Sequence, residues 1–457
     1  MVKKFDVIVI GAGSGLNISD AAASMGKKVA VVEEGPMGGT CLNRGCIPSK
    51  IVIHSASLLE EIKRASKFGI NVKNNNVNFA AITGRASRIV DGDAKNIEYG
   101  IRHDKNHTLY KMRGKFIGQK LLQVGKEKIT ADKIFIAAGT RSLIPAIKGL
   151  DKVKYLTSTE ALRLKKLPKN LIIIGGGYIA AELAHFFGAL GSKITIIQRN
   201  IRLIPNVDEE VADKFTKIFS KKFKVVLNKE VTEVSKKNGK IMVYARDMVT
   251  NKIDSYPGDE LLLAVGRIPN TDILDVKAGG IELNEKGYVR VNEFLETNVP
   301  GVWAIGDIAG VYQFKHSANL ESQYAYINAF SKHKLPVDYR AMPYAIFSNP
   351  EVAGVGKTEQ ELRDKKIAYA VGKYEYIHTG MGTAILDEEG FVKFLVEKGT
   401  GKILGCHILG TQASTLIHEV VIAMRTGDGS INAIKEAIHV HPALSEVVQR
   451  AANSVEY

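Results

Sequence analysis

The sequence contains little cysteine. Its 457 residues include only Cys41, Cys46 and Cys406, which is too few for the disulfide framework of a secreted protein. Cys41 and Cys46 lie five positions apart, and this spacing favours a redox-active or metal-binding pair. Cys406 lies between apolar residues in the segment KILGCHIL, and we expect it in the core.

Long apolar segments are also missing. The run from Phe5 to Ile10 near the N-terminus is too short for the core of a signal peptide. The longest weakly polar stretch, from Leu171 to Gly191, contains Glu182 and His185 and suits a buried strand and helix better than a membrane span. The sequence therefore predicts a cytoplasmic protein with no membrane partner.

The basic residues form no pattern typical of nucleic-acid binding. Lysine and arginine number 63 against 48 aspartates and glutamates, a net charge of +15, but they are scattered, without an arginine-rich arm or a zinc-finger spacing. We therefore expect no nucleic-acid partner. The 45% hydrophobic and 24% charged residues are typical of a globular protein, and the length allows about three domains at roughly 150 residues each.

Two segments show the strand, glycine turn, helix, strand order of a dinucleotide-binding unit. In the first, the strand FDVIVI and the turn GAGSGL lead through a helix to a second strand that ends at Glu33. Later in the chain, LIIIGGGYIAAELAHFFGALG precedes the strand SKITIIQRN. Two such units predict two bound dinucleotides.

The first glycine turn has the residue types that bind an adenine dinucleotide. Gly11 and Gly13 allow a tight turn and a close approach of the backbone to a pyrophosphate at a helix N-terminus. Glu33 is placed to hold the adenosine ribose. Leu16 takes the place of the third fingerprint glycine, with Gly15 before it, so we expect slightly altered packing of the helix on the strand.

The second glycine turn favours a phosphorylated dinucleotide. Gly175, Gly177 and Ala180 match the fingerprint, but the next strand ends in QRN, at Arg199, instead of in an acid. An arginine there can pair with a 2′-phosphate, which favours NADP(H) over NAD(H). The alternative is that Arg199 and Arg202 are simply exposed cations on a basic protein.

The segment GGTCLNRGCIPSK holds the cysteine pair. On a regular helix the Cα atoms of Cys41 and Cys46 would be about 8.6 Å apart, beyond the roughly 4.4–6.8 Å that a disulfide allows. A bond between them therefore needs an irregular turn, for which Gly45 is suited. Pro48 marks the first turn of a helix, whose N-terminus lowers the pKa of a nearby thiol. The spacing shows no further ligands, so we predict a dithiol that cycles with a disulfide and no metal site.

The C-terminal region differs in character. From about Pro336 onward the sequence shows short alternating strands, FVKFLVE and KILGCHILG, and helix-like stretches at 414–425 and 432–439. This mixture predicts a separate α+β domain.

The last motif, AIHVHPALSE, holds His439, His441 and Glu446. A histidine held by a nearby carboxylate can move a proton to and from a thiol near neutral pH. The alternative for His439 and His441 is a metal pair.

Seven motifs, in order, resemble the flavoprotein disulfide reductases, the class I pyridine nucleotide–disulfide oxidoreductases. They are GAGSG with Glu33, GGTCLNRGCIPSK, IFIAAGT, GGGYIAAE, LLAVGRIPNT, VWAIGDIAG and HVHPALSE. The resemblance implies an α/β fold with two Rossmann-like domains and a C-terminal α+β dimerisation domain. The implied division is an FAD domain over 1–147, an NAD(P) domain over 148–268, a central domain over 269–335 and a dimerisation domain over 336–457.

The resemblance also implies roles for individual residues. Cys46 would face the flavin and Cys41 would exchange with substrate. Lys50 and Glu182 would form an ion pair beside the flavin. His441, oriented by Glu446, would act on the cysteine pair of the other subunit, which makes the active enzyme a homodimer.

Further residues are implied at the two cofactors. Tyr178 would gate the nicotinamide pocket, Asp307 would bind the ribityl chain, and Lys315 would lie with His316 near the isoalloxazine. The implied FAD residues are Gly11, Gly13, Ser14, Gly15, Glu33, Gly39, Thr40, Lys50, Gly139, Thr140, Gly306, Asp307 and His316. The implied NAD(P) residues are Gly175, Gly177, Tyr178, Ile179, Glu182, Arg199, Arg202 and Gly266.

Within this family the motifs favour dihydrolipoamide as substrate. PSK after Cys46, HVHPALSE and GCHILG resemble dihydrolipoamide dehydrogenases, and a lipoyl domain or E2 component of a 2-oxoacid dehydrogenase complex would be a partner whose docking the positive charge assists. The helix segment ISDAAASMG lacks the arginines that bind glutathione carboxylates, and no cysteine follows Cys406, which disfavours mercuric reductase. FKHSANLES and AAELAHFF resemble mycothione reductases, so an NADPH-dependent reductase of a small disulfide is the alternative.

A hypothesis from another class is a basic protein that keeps the fold, binds no flavin and docks on an acidic partner. The chain keeps every residue of the implied chemistry, which argues against this hypothesis. These residues are Cys41, Cys46, Lys50, Glu182, Asp307, His441 and Glu446.

Overall fold

The computed structural model describes residues 1–73 and 76–456. Its helices are α1 (Gly15–Ser24), α2 (Gly39–Arg44), α3 (Cys46–Arg64), α4 (Phe79–His103), α5 (Ser158–Ala161), α6 (Tyr178–Ala189), α7 (Glu209–Lys222), α8 (Lys315–Phe330), α9 (Glu359–Asp364), α10 (Gly380–Ala384), α11 (Ala413–Arg425), α12 (Asn432–Lys435) and α13 (Glu446–Asn453). Its strands are β1 (Val2–Ile10), β2 (Val29–Val32), β3 (His107–Tyr110), β4 (Gly114–Gly118), β5 (Leu121–Val124), β6 (Glu127–Ile136), β7 (Thr140–Ser142), β8 (Asn170–Ile174), β9 (Lys193–Ile197), β10 (Lys224–Val226), β11 (Lys229–Lys237), β12 (Lys240–Asp247), β13 (Ile253–Gly258), β14 (Glu260–Leu263), β15 (Arg267–Pro269), β16 (Val302–Ala304), β17 (Pro343–Ile346), β18 (Glu351–Gly356), β19 (Tyr369–Glu375), β20 (Phe391–Glu397) and β21 (Ile403–Gly410).

The chain forms two compact units, each built from separate segments. The first unit comprises Met1–Ile51, Ala80–Leu143 and Gly266–Asp338. The second comprises Val52–Phe79, Ile144–Val265 and Tyr339–Tyr457. The division into four domains that the resemblance implies stays a prediction.

The first unit contains a seven-stranded sheet with β1 inside it and the two-stranded antiparallel sheet β7-β15. The strand order is β3-β2-β1-β6-β5-β4, with β16 also paired to β6. β1 runs parallel to both β2 and β6, and Val7 to Ile10 are at most 2% exposed. A parallel strand with both faces covered needs a continuous apolar run, which explains FDVIVI and confirms the first predicted dinucleotide-binding unit.

The second unit contains three sheets. The parallel sheet β10-β9-β8-β14 holds the second glycine turn, after β8. The antiparallel sheets are β11-β12-β13 and β17-β18-β21-β20-β19. Side chains of α11 and α13 share one core with β20 and β21, so this C-terminal region mixes helices and strands as predicted. No helix in the described part of the chain is long and apolar enough to cross a membrane.

One predicted helix is wrong. The helix at 414–425 is confirmed by α11, but the stretch predicted over 432–439 forms only α12, which ends at Lys435. The three residues 438–440 differ in exposure instead: Ile438 is 100% and Val440 74% exposed, whereas the His439 side chain is 7% exposed. Pro442 also disfavours helical backbone in the residue before it.

A buried lysine joins two regions of the second unit. Lys393 of β20 is 1% exposed and its Nζ lies 3.0 Å from an Asp208 oxygen, 3.0 Å from Glu210 and 2.6 Å from Glu359. Asp208 is fully buried and also accepts hydrogen bonds from the backbone N–H of Glu210 and of Glu359, at the starts of α7 and α9. One carboxylate therefore caps two helices and pairs with one ammonium group.

Candidate active site

The turn after β1 is shaped by close backbone contacts. Gly11 has a φ of +102°, and a Cβ on it would lie 2.3 Å from the Ala137 carbonyl oxygen, so only glycine fits. A Cβ on Gly13 would meet nothing closer than 3.9 Å, which leaves space for a ligand beside the backbone. Glu33 accepts hydrogen bonds from the backbone N–H of Ala12 at 2.9 Å and of Gly35 at 2.7 Å. The acid at the end of β2 is thus held against the glycine turn.

The close packing of α1 is supplied by Gly15 instead of by the third fingerprint position. A Cβ on Gly15 would lie 2.8 Å from Val9 Cγ1 and 2.9 Å from Ala137 Cβ. Leu16, at the fingerprint position, fits into the core at 9% exposure. The altered packing expected from the sequence is therefore explained: the glycine that lets α1 pack closely on β1 lies at position 15, one residue before the usual fingerprint position.

The cysteine pair lies at a break between two helices. α2 ends at Arg44, and α3 begins at Cys46. Gly45 between them has φ −136° and ψ −116°, so the irregular turn predicted from the spacing is confirmed. A Cβ on Gly45 would be 3.0 Å from the Thr40 carbonyl oxygen. The two cysteines are thiols in this structure, with Cys41 partly buried and Cys46 exposed. A hydrogen bond to Cys46, followed by burial, raises the pKa of the Cys41 thiol.

A row of polar side chains leads away from the thiols. Lys315, the first residue of α8, donates from Nζ to Ser14 Oγ at 2.9 Å, and Ser14 donates to Asn319 Oδ1 at 2.9 Å. Asn17 of α1 donates to Ser322 Oγ of α8 at 3.0 Å. Burial lowers the pKa of Lys315, whereas the two thiols act in the opposite direction. α1 and α8 are thus joined along one polar seam that starts beside the cysteine pair.

Asp307 belongs to a hydrogen-bonded cluster that the sequence did not reveal in full. Thr140 Oγ1 donates to Asp307 Oδ2 at 2.8 Å, and Arg267 Nε donates to Thr140 Oγ1 at 2.7 Å. Arg267 is missing from the implied site residues although it lies in the quoted motif LLAVGRIPNT. Its partner Thr140 is 127 positions away, so no local pattern links them.

Two further contacts position the loop around Asp307. Glu321 of α8 is fully buried and accepts a hydrogen bond from the backbone N–H of Gly306 at 2.5 Å. The His316 ring stacks on Phe314, with the ring centroids 5.1 Å apart. Glu321 was also missed although it lies in the quoted segment FKHSANLES, because its partner is a backbone N–H fifteen positions earlier.

These residues of the first unit fit FAD. Gly139, like Gly13, has open space where a side chain would stand, Glu33 is held at the end of β2, and Asp307 is fixed by Thr140. These groups would hold the cofactor in the manner of a dinucleotide at a glycine turn. When bound, FAD takes hydride from a nicotinamide and passes the electrons to a disulfide.

The second glycine turn, in the second unit, repeats the first. Gly175 has a φ of +109°, and a Cβ on it would lie 2.2 Å from the Ala264 carbonyl oxygen, whereas a Cβ on Gly177 would meet nothing within 4 Å. Tyr178 begins α6 and is 43% exposed. Glu182, one turn later, is 6% exposed and accepts from the Phe347 backbone N–H at 3.0 Å. Lys50 belongs to the first unit, and its pairing with Glu182 stays a prediction.

The two arginines after β9 differ in their surroundings. Arg199 is exposed, and its backbone N–H donates to the Gln198 side chain at 3.0 Å. Arg202 is 21% exposed and forms ion pairs with Glu209 at 2.8 Å and Asp213 at 2.9 Å. Arg199 is therefore better placed than Arg202 to meet a phosphate.

The C-terminal motif forms two histidine–glutamate pairs in the second unit. His441 Nδ1 lies 2.9 Å from Glu446 Oε1. His441 is 75% exposed, whereas the Glu446 side chain is 9% exposed, so a fixed acid orients a solvent-facing ring. The hydrogen bond to His441 lowers the pKa of Glu446. His439 Nε2 lies 3.0 Å from Glu419 Oε2, so the two histidines face different carboxylates.

Similar proteins place this architecture in a family. Residues 5–322 match the family model described as pyridine nucleotide-disulphide oxidoreductase, and residues 342–452 match its dimerisation domain. Mycothione reductase of Mycobacterium tuberculosis is 34% identical over 461 residues, which are 98% of this chain and 99% of the relative. The mitochondrial dihydrolipoyl dehydrogenase of Dictyostelium discoideum is 38% identical over 459 residues, 98% and 93% of the two chains.

A solved structure agrees with these matches. The HOCl-induced flavoprotein disulfide reductase RclA from Escherichia coli superposes with a TM-score of 0.87 at 27% identity, over 98% of this chain and 99% of that chain. Fold, motifs and relatives agree, and the chain belongs to the pyridine nucleotide-disulphide oxidoreductases, flavoproteins that use FAD and NAD(P)H to act on sulfur groups.

Proposed function

We propose that this oxidoreductase passes electrons between NAD(P)H, FAD, the Cys41 and Cys46 pair and a small dithiol or disulfide, with dihydrolipoamide as the dithiol. The observation that carries the proposal is the thiol pair at the break between α2 and α3. The two sulfurs share a hydrogen bond, and Gly45 lets the chain turn between them. A pair in such contact can close to a disulfide and reopen.

The thiol chemistry follows from these residues. One sulfur of dihydrolipoamide, after losing its proton, attacks Cys41 of the oxidised pair, and Cys46 leaves as a thiolate. The second substrate sulfur then displaces Cys41, so lipoamide leaves with its ring disulfide closed and both cysteines are reduced. His441, oriented by Glu446, takes the proton of the substrate thiol. The dimerisation-domain match supports a homodimer, in which we propose that His441 serves the partner's cysteine pair.

The surroundings of the seam between α1 and α8 support a substrate with an uncharged arm. A surface cavity of about 350 Å³ lies along this seam, and all its lining side chains are uncharged. They are Asn17, Ala21, Ser322, Gln323, Tyr326 and Ile327. Asn17 connects the cavity, through Asn319 and Ser14, to Lys315. An amide-ended aliphatic arm suits this lining, whereas the carboxylates of glutathione would find no cation among these six residues.

A second candidate is an NADPH-dependent reductase of a low-molecular-weight disulfide such as mycothione. The exposed Arg199, two residues after β9, favours it, because an acid near this place would bind the ribose of NAD. This candidate uses the same cysteine pair and the same proton transfer, with electrons flowing from nicotinamide to the disulfide.

Docking on a lipoyl domain or an E2 component belongs to the first candidate only. The net charge of +15 would assist association with an acidic carrier domain, and such binding would weaken at high salt. The cytoplasmic location stays a prediction from the sequence.

Anaerobic stopped-flow reduction of the purified protein with NADH and NADPH in parallel tests the proposal. Lipoamide, oxidised glutathione and mycothione are then added as oxidants. Fast reduction by NADH with lipoamide turnover supports dihydrolipoamide dehydrogenase activity. Preference for NADPH with poor lipoamide turnover supports the second candidate, and no turnover of any disulfide contradicts both.

A further inference from the structure

We propose that Lys315 supplies the positive charge that stabilises the thiolate formed by the Cys41 and Cys46 pair. The inference rests on the proposed redox role of the two cysteines. It assigns to Lys315 a function in thiol chemistry that the resemblance did not give, and the implied position of Lys315 near the isoalloxazine stays a prediction.

The ammonium group of Lys315 is fixed in one place. Its Nζ donates to Ser14 Oγ at 2.9 Å, and Ser14 is held in turn by Asn319 on the next turn of the same helix. The lysine is partly buried, so its charge is less screened by water than that of an exposed lysine.

The anchoring residue lies against the helix that carries Cys41. Ser14 follows Gly13, and a Cβ built on Gly39 would be only 2.7 Å from the Gly13 Cα, so the two backbones are in contact. Gly39 opens α2, and Cys41 is its third residue. Within the first unit, Lys315 is therefore anchored through Ser14 beside the backbone that begins the helix of Cys41.

The positive charge of Lys315 opposes the groups that disfavour a thiolate at Cys41, which are the Cys46 side chain and burial. In the described part of the chain, the titrating groups that act on the Cys41 thiol are Cys46 and Lys315, and those that act on Lys315 are the same two cysteines. Lys315 also begins the sixteen-residue helix α8, whose N-terminus carries a partial positive charge. A thiol that loses its proton beside these charges leaves an anion that they stabilise, and the thiolate is the form that attacks a disulfide.

Alkylation of Cys41 measures this effect without turnover. A Cys46→Ser background leaves Cys41 as the reactive thiol, since Cys406 is fully buried. The rate of reaction with iodoacetamide is followed from pH 5 to pH 10. We expect Lys315→Met to raise the midpoint of the curve of alkylation rate against pH by about one pH unit. Below that midpoint, such a shift means a roughly tenfold smaller fraction of thiolate at Cys41. Lys315→Arg should restore the midpoint, because it keeps the charge.

Lys332→Met is the matched control, because Lys332 is exposed just beyond α8 and its loss should leave the midpoint unchanged. A second measurement is the midpoint reduction potential of the protein with both cysteines present. If Lys315→Met makes the reduced pair tenfold less stable relative to the disulfide, the midpoint potential of the pair falls by about 30 mV. If Lys315→Met is poorly folded, Lys315→Gln serves in its place. An unshifted Cys41 midpoint, or one that arginine fails to restore, overturns the inference. Neither the alkylation midpoint nor the reduction potential depends on which disulfide is the substrate. A failure of the proposed function would appear in the turnover assay and not in these two measurements.

Discussion

Replacing Lys393 with methionine removes a buried cation that contacts three carboxylates, of which Asp208 is fully buried. Lys393 and Asp208 are 1% and 0% exposed, with 3.0 Å between their charged atoms. Removing one member of such a buried pair costs about 3–5 kcal/mol, because the remaining charge is left without a partner. Glu210 and Glu359 are 41% and 23% exposed and can turn to water, and Asp208 keeps two backbone donors. We therefore expect the free energy of unfolding to fall by about 3 kcal/mol, near the lower end of this range.

Urea unfolding followed by far-UV circular dichroism measures this loss. Lys373→Met is the matched control, because Lys373 pairs with the same Glu210 at 2.5 Å but at 38% exposure, and its loss should cost about 0–1 kcal/mol. Adding Asp208→Asn to Lys393→Met should recover part of the stability, because the neutral amide needs no counter-charge and still caps α7. If Lys393→Met is no less stable than Lys373→Met, the reasoning about the buried carboxylates is refuted.

Four other predictions concern the site. Cys46→Ser should keep FAD, seen by its absorbance, but lose disulfide turnover; unchanged NAD(P)H consumption with lipoamide would contradict the redox role. His441→Gln should slow the thiol–disulfide step about a hundredfold or more, while flavin reduction by nicotinamide changes little, and equal slowing of both would exclude the proton transfer. Gly15→Val should cost about 1–3 kcal/mol in urea unfolding through overlap with Val9 and Ala137, against a smaller loss for Leu16→Val. The pKa of Glu446 is lowered in the folded state, so its contribution to stability is complete above the ordinary glutamate pKa and is lost as the pH falls through the lowered value. Glu446→Gln should therefore make the free energy of unfolding less dependent on pH in this acid range. An unchanged pH dependence would refute the assignment.

The features that the sequence predicted well are local ones. The two glycine turns, the break at Gly45 and the helix start at Cys46 each depend on residues that are near neighbours in the chain, so their patterns could be recognised directly. The family resemblance then supplied the C-terminal dimerisation domain, which the family match over 342–452 confirms, and the pairing of His441 with Glu446. Their side chains lie 2.9 Å apart in the structure.

The features that the sequence could not predict depend on residues far apart. Arg267 meets Thr140 across 127 positions, and Lys393 meets Asp208 across 185, and neither contact has a local pattern. At 432–439 the helical pattern failed beyond Lys435, where Ile438 faces water and the next side chain, His439, is turned to Glu419. The packing role of Gly15 was not foreseen because a fingerprint records positions, whereas the contact depends on how α1 lies against β1 and Ala137.

The non-helical segment before Pro442 has a consequence for how the protein should behave on dilution. Ile438 and Val440 present almost their whole side chains to water, next to the exposed ring of His441. Apolar groups in that position are stabilised when a second copy covers them. If His441 completes the partner's site, specific activity becomes a function of protein concentration, because dilution below the dissociation constant leaves subunits that can be reduced but cannot complete the thiol exchange.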